Sequence, residues 1–306
     1  MLANGNAPHA LCFSGPDGVG KRQCGLALTQ GLLCMDKQDK PCGICQGCRN
    51  ISDLSHPDLY IVEPDGKSRT IKISQIKAIK KELVMKPIAG LVRVALIDEA
   101  DRMNPEAQNA LLKMLEEPPA YVYFILVTAY PQKLLTTVLS RCQRLRFGSL
   151  NARYLESIAK SADLEIDDME LSMKAAHGSM AELEDLGQPL YKDIFAAVFN
   201  LMQLTRTKEI CPMPDWGQNK EEERMGLDAL LRIFRDIYVL KTGAQSGYAH
   251  LIEREAELDD MGKRFSIEDI ERITLKLNEL KLDLEHSIHP KLIMNTALNT
   301  IGINII

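Results

Sequence analysis

A glycine-rich turn near the start of the chain most constrains its fold. Residues 15–21, Gly-Pro-Asp-Gly-Val-Gly-Lys, have the spacing G-x-x-x-x-G-K of a phosphate-binding loop. The glycines of such a loop let backbone N–H groups converge on phosphate oxygens, and the lysine adds a point charge. The apolar run 10–13 before it predicts a buried strand. The candidate loop residues are Gly15, Gly18, Gly20 and Lys21.

The next residue, Arg22, departs from this pattern. The motif normally continues with Ser or Thr, whose hydroxyl oxygen binds Mg²⁺. A guanidinium is cationic at any relevant pH and offers no lone pair to a metal. The loop therefore has the form of a nucleotide site without the oxygen that seats the metal, and the sequence leaves open whether ATP binds.

Strand and helix signals alternate over the first half of the chain. Asn104 and Pro105 predict the start of a helix that ends before Pro118. The alternation predicts a parallel sheet flanked by helices, with ligands at the carboxyl ends of the strands. Asp98 and Glu99 fall at such an end, where one acid orients water around Mg²⁺ and the next polarises the attacking water. Further strands are predicted at 59–62, 92–97, 121–127 and 143–147.

Beyond residue 150 the strand signals fade and helical patterns take over. We predict an α/β domain at 1–149, a small helical lid domain at 150–188 and an all-α C-terminal domain at 189–306. In the last domain a 3,4-spaced apolar seam favours helix packing within the domain over a coiled coil. The seam residues are Ile270, Ile273, Leu277, Leu280 and Leu284.

Composition and charge narrow the function classes. The chain is 45% hydrophobic and 26% charged, which is ordinary for a globular protein. It shows neither a signal pattern nor an apolar run near the ~20 residues that span a bilayer, so we expect a cytoplasmic protein with no membrane partner. Residues 1–150 carry 19 Lys and Arg against 14 Asp and Glu, whereas the remainder carries 18 against 28. The acidic second half argues against a chain that grips DNA along its whole length.

Four cysteines, Cys34, Cys42, Cys45 and Cys48, form the pattern C-x7-C-x2-C-x2-C. Two-residue gaps let neighbouring thiolates reach one metal, and four thiolates are a usual structural Zn²⁺ set. The alternatives are free thiols or an iron–sulfur cluster. Because protein ligands fill all four places, a structural zinc module at 34–48 is favoured. Cys12 and Cys24 are predicted to be core thiols.

The motifs in their order resemble the bacterial clamp-loader subunits of DNA polymerase III, which are AAA+ proteins. The resemblance is dense over residues 8–150, weaker over the small helical domain and coarse in the last third. It implies an AAA+ P-loop domain, a helical lid and a C-terminal collar that holds a ring of subunits together. The set comprises the glycine loop, the four cysteines, His56-Pro57-Asp58, Leu96-Ile97-Asp98-Glu99-Ala100-Asp101, Asn109-Ala110-Leu111-Leu112-Lys113, Leu115-Glu116-Glu117-Pro118-Pro119 and Ser140-Arg141-Cys142.

Two departures favour the delta prime type of subunit over the ATP-hydrolysing gamma/tau type. Arg22 replaces the metal-binding hydroxyl, and Ala181 stands where the family's phosphate-sensing arginine would be. Only nine residues precede the first strand, so we also expect the adenine-contacting segment of the family to be largely missing. The chain is accordingly expected to lack polymerase activity and ATP turnover of its own.

The resemblance also implies roles for single residues. Arg141 would act as an arginine finger, reaching in trans into the ATP site of an adjacent gamma subunit, and Thr128 matches the family's polar sensor position. Gamma/tau and delta subunits are the implied partners, with the sliding clamp and primed DNA contacted indirectly.

Two alternatives stay open: a gamma-type ATPase, and a zinc-dependent nucleic-acid binder that uses the basic run between Lys67 and Lys81.

Overall fold

The computed structural model describes residues 7–36, 40–66, 69–162, 164, 176, 178–204, 219–243, 254–285 and 290–302. The chain divides into two compact units, Met1–Leu150 and Asn151–Ile306. The predicted further division of the second unit at residue 188 stays a prediction, and most of 163–177 lies outside the described residues.

The first unit contains one five-stranded sheet in the order β2-β3-β4-β1-β5, in which every neighbouring pair is parallel. All five strands coincide with the predicted runs to within about two residues, so the predicted parallel-sheet class is confirmed. The strands are β1 (Ala10–Ser14), β2 (Leu59–Val62), β3 (Arg93–Ile97), β4 (Val122–Thr128) and β5 (Gln143–Arg146).

Helices cover both faces of this sheet. Alternate residues of the central strands point to opposite faces, so Phe13 and Leu96 join one apolar cluster while Cys12 and Ala95 join the other. Each fully buried large side chain contributes roughly 1.5–3 kcal/mol relative to exposure. The helices of this unit are α1 (Lys21–Leu33), α2 (Gln46–Ser52), α3 (Ile73–Leu83), α4 (Pro105–Glu116) and α5 (Thr136–Leu139).

The start of α4 follows the predicted capping chemistry. The Asn104 side-chain oxygen accepts a hydrogen bond from the Ala107 backbone N–H at 2.9 Å, and Pro105 occupies the first helical turn. One otherwise unpaired N–H is thereby satisfied. The buried stripe of α4, including Leu111 and Leu115, packs against α3 and the sheet.

The second unit is helical over its described residues. Its longest described helix, α9 (Lys220–Lys241), contacts the helices that precede and follow it in the chain and the two C-terminal helices. The five predicted seam residues are all buried in one apolar cluster of this unit, which confirms packing within the unit. No described helix is long and apolar enough to cross a bilayer. The helices are α6 (Ala152–Ser161), α7 (Met180–Gly187), α8 (Pro189–Leu204), α9 (Lys220–Lys241), α10 (Glu255–Gly262), α11 (Ile267–Glu285) and α12 (Pro290–Ile301).

A buried acid holds together the turn between α3 and β3. The Asp58 carboxylate accepts backbone hydrogen bonds from Ile88, Ala89 and Gly90 at 2.7, 2.8 and 2.8 Å, and lies 3.5 Å from Arg93 Nε. Burial raises the pKa of Asp58, but the three N–H donors and the guanidinium outweigh it, so the net pKa is lowered. Asp58 therefore stays ionised in the interior.

We expect Asp58→Ala to destabilise the first unit by about 3–5 kcal/mol, because it leaves a buried guanidinium without its counter-charge and three amides without an acceptor. Urea unfolding measures the loss, with Asp53→Ala at the exposed end of α2 as the control. Since the folded pKa of Asp58 is depressed, its contribution is present above about pH 4 and lost below it. The two curves should converge as the pH falls. A loss below about 1 kcal/mol at neutral pH would contradict this account.

Candidate functional site

Parallel pairing gathers the predicted nucleotide-site residues at one edge of the sheet. Ser14 lies opposite Thr128 in the β1–β4 pair, and Val62 lies opposite Ile97 in the β2–β3 pair. The residues that follow these strands, Gly15, Glu63 and Asp98, therefore share the carboxyl edge with Thr128.

Close approach explains the first glycine of the loop. A Cβ on Gly15 would lie 2.2 Å from the Phe147 carbonyl oxygen, so no larger residue fits. Gly18 and Gly20 have φ values of 71° and 84°, and Gly20 directly precedes α1. Lys21 is 6% exposed, and its Nζ donates to the carbonyl oxygens of Gly15 at 2.9 Å and Pro16 at 2.6 Å. The lysine charge is thus directed at the loop itself.

Arg22 forms ion pairs with two acids at this edge. Its Nε lies 3.1 Å from Asp98 Oδ2, and its Nη2 forms a short ion pair with Glu63 Oε1. Burial raises the pKa of Asp98 above its ordinary value, and the Glu99 N–H and the Arg22 charge only partly offset that effect. The Arg22 guanidinium supplies the positive charge that a bound Mg²⁺ would otherwise bring to Asp98.

Glu99 is also paired with guanidinium groups. Its carboxylate lies 2.5 Å from Arg69 Nη2 and 3.4 Å from Arg102 Nε, and its backbone is left-handed at φ 44°. The two guanidinium groups therefore compete with any other partner for this carboxylate.

Thr128 is tied locally as well. Its Oγ1 donates to Asp101 Oδ1 at 2.5 Å and accepts from the Tyr130 N–H at 3.0 Å. The predicted sensor hydroxyl therefore serves to join the end of β4 to the segment after β3.

The sequence analysis did not identify three residues that form ion pairs with the predicted site residues. Glu63 had an available signal, since it follows β2 as Asp98 follows β3. Arg69 and Arg102 had none, because neither their spacing nor their neighbours in the chain distinguish them from solvated arginines.

The four predicted cysteines come together at the far end of α1. Cys34 follows that helix, Cys45 caps α2 and Cys48 lies within α2. Their Sγ atoms all lie within 4.8 Å of one another, with 3.9 Å between Cys34 and Cys45 and 4.0 Å between Cys42 and Cys48. A tetrahedral site with Zn–S bonds of about 2.3 Å requires S···S distances of about 3.8 Å. The donor set therefore fits a tetrahedral metal.

Backbone N–H groups point at these sulfurs. The N–H groups of Cys42, Cys45 and Cys48 donate to the Sγ atoms of Cys34, Cys42 and Cys45 at 3.5, 3.4 and 3.4 Å. The Cys48 N–H, with that of Met35, lowers the pKa of Cys45 to about 6, which favours the thiolate that a metal binds. Of the two predicted core thiols, Cys12 is buried but Cys24 is exposed, so the prediction was wrong for Cys24. Cys24 lies on the solvent side of α1, away from the apolar stripe.

Arg141 lies away from the glycine loop. It precedes β5, which runs parallel to β1, so it belongs to the amino edge of the sheet. The four residues of β5 alone span about 13 Å. The Arg141 side chain is 32% exposed and bonds the Thr137 carbonyl at 2.8 Å and Glu116. Arg141 is therefore not part of this chain's own loop site.

Comparison with known proteins identifies the family of this chain. A family model described as DNA polymerase III, delta subunit, matches residues 1–151. The delta' subunit of DNA polymerase III from Bacillus subtilis is 31% identical over 242 residues, covering 77% of this chain and 73% of that protein. The chain belongs to the DNA polymerase III delta prime family.

Other proteins related to DNA polymerase III subunits are also similar. The tau/gamma subunit of Haemophilus influenzae is 38% identical over 192 residues, and the chain spans only 28% of its length. A gamma subunit-related protein of Thermotoga maritima is a structural neighbour with 16% identity, 99% and 97% coverage and a TM-score of 0.46. The family that the sequence predicted and the predicted parallel α/β class are both confirmed. The roles of the single site residues stay predictions.

We expect Arg22→Ser to make nucleotide binding depend on Mg²⁺, because it returns a hydroxyl and frees Asp98. Calorimetry with ATP should show binding tightened by Mg²⁺ at least about tenfold in this variant, as one charge-assisted contact allows. Arg22→Ala is the matched control, since it frees the acid without supplying an oxygen. Equal Mg²⁺-dependent binding by the unaltered chain would contradict the prediction.

Proposed function

We propose that this chain is a non-hydrolysing clamp-loader subunit that supplies Arg141 in trans to the ATP site of a neighbouring subunit. It acts within the DNA polymerase III holoenzyme, in the cytoplasm, during DNA replication. Its own glycine loop is a degenerate site that supports the fold.

The pairing of both acids after β3 carries this proposal. Phosphoryl transfer to water requires one acid to hold the metal and another to polarise the nucleophile. Asp98 is ion-paired with Arg22, and Glu99 is ion-paired with Arg69 and Arg102. Both acids must leave these partners before they can act on ATP, so turnover at this site is disfavoured.

The position of Arg141 supports a role in trans. It sits on the edge of the sheet opposite the chain's own loop, with a third of its side chain exposed. An arginine there serves the nucleotide of a neighbouring subunit better than its own. Stabilisation of γ-phosphate charge by such an arginine is worth roughly 10³-fold or more in rate at the site it serves.

The relatives suggest the partners. Related chains are named as tau and gamma subunits of DNA polymerase III, and we propose such subunits and a delta subunit as the neighbours in a ring. The sliding clamp and primed DNA would be contacted through the assembled loader. A gamma-type ATPase is the competing function, and it would require Arg22 to leave Asp98.

We also propose that the cysteine cluster binds one structural Zn²⁺. Cys34, Cys42, Cys45 and Cys48 would fill all four positions of the ion, which leaves none for water. When bound, the ion would tie the end of α1 to the start of α2.

Arg141→Ala should slow ATP turnover only in the assembled loader. We expect a large loss at one site and a smaller fall in the total rate, with no effect on the chain alone, because the arginine acts on another subunit's nucleotide. Turnover is measured with the purified chain and with the chain mixed with gamma and delta subunits, and gel filtration checks assembly.

Arg144→Ala, which removes an exposed charge three residues away on β5, is the control. DNA-stimulated turnover by the isolated chain, abolished by Lys21→Ala, would reject the proposal in favour of the gamma-type ATPase.

Cys48→Ser should lower the zinc content from about one ion per chain to well below half, since a hydroxyl is a poor zinc ligand. Elemental analysis by mass spectrometry measures the metal. Cys24→Ser, at an exposed cysteine outside the cluster, should leave the content unchanged. Full zinc occupancy in Cys48→Ser, or iron in place of zinc, would refute the assignment.

A further inference from the structure

Glu116 contacts the guanidinium of Arg141. Its Oε1 lies 2.5 Å from Arg141 Nη2, while the Thr137 carbonyl accepts from Nη1 at 2.8 Å. The two contacts come from the end of α4 and from α5, so they hold the side chain from two sides. A guanidinium has five N–H donors, which leaves others for a phosphate.

Helix stability does not explain a carboxylate at this position. Glu116 is the last residue of α4, where the negative end of the helix dipole disfavours another negative charge. Its side chain is 47% exposed, so packing does not explain it either. The feature of the described structure that accounts for the charge is the arginine beside it.

We propose that Glu116 is a positioning residue for Arg141. The inference rests on the proposed role of Arg141 in trans. An arginine loses much rotamer freedom when it is fixed on a phosphate, and a chain that has already ordered the side chain loses less at that moment. Glu116 orders the guanidinium before the neighbouring subunit docks, and a third of the arginine side chain stays exposed.

Two substitutions separate this role from the opposite one, in which Glu116 restrains Arg141. Glu116→Gln keeps the length and an acceptor oxygen, whereas Glu116→Ala removes both charge and acceptor. If Glu116 positions Arg141, Glu116→Ala should slow the reaction more than Glu116→Gln does. If Glu116 restrains Arg141, both substitutions should speed the reaction, because the arginine is released.

The experiment uses the assembled loader and follows the part of single-turnover ATP hydrolysis that Arg141→Ala removes. We expect Glu116→Ala to slow that part roughly two- to fivefold, the size that an exposed ion pair corresponds to, with the KM for ATP unchanged. In an Arg141→Ala background the same substitution should have no effect, because the two residues act as one unit.

Glu117→Ala removes the same charge from the neighbouring exposed position and is the control, and thermal unfolding checks that α4 is intact. If Arg141→Ala leaves turnover unchanged, the proposed role of Arg141 fails. If Arg141→Ala slows turnover but Glu116→Ala does not, speeds it, or acts equally without Arg141, then the positioning role of Glu116 is overturned while that of Arg141 stands.

Discussion

Parallel alignment of five strands is the constraint on which the candidate sites of the first unit depend. It brings Gly15, Glu63, Asp98 and Thr128 to one edge of the sheet, although more than a hundred residues separate the first from the last. The same alignment puts Arg141 at the other edge. One molecule therefore presents the glycine loop at one edge of its sheet and a partly exposed arginine at the other.

Charge balance at the loop rests on an arginine of the chain itself. A buried acid such as Asp98 needs a cation nearby, because burial alone raises its pKa. Here the cation is a covalently attached guanidinium, which also reaches Glu63. The positive charge beside Asp98 is therefore part of the chain itself.

Two polar clusters bring separate segments of the first unit together. Asp58 holds the turn before β3 through three backbone amides and Arg93, leaving exposed apolar side chains such as Ile88 and Leu91 on a fixed turn. The cysteine cluster gathers four sulfur atoms where α1 ends and α2 begins. In both cases polar atoms from separate segments converge on one centre.

The sequence by itself determined the elements, because strand and helix periods, caps and turn residues act over a few neighbours. It therefore located β1 to β5, the start of α4 at Asn104 and the C-x2-C spacing that brings sulfurs together. Only the tertiary structure decided which charges meet. Glu63 and Arg22, Glu99 and Arg69, and Glu116 and Arg141 are 25 to 41 residues apart. Their contact depends on how strands and helices pack side by side. Local sequence patterns do not encode that packing.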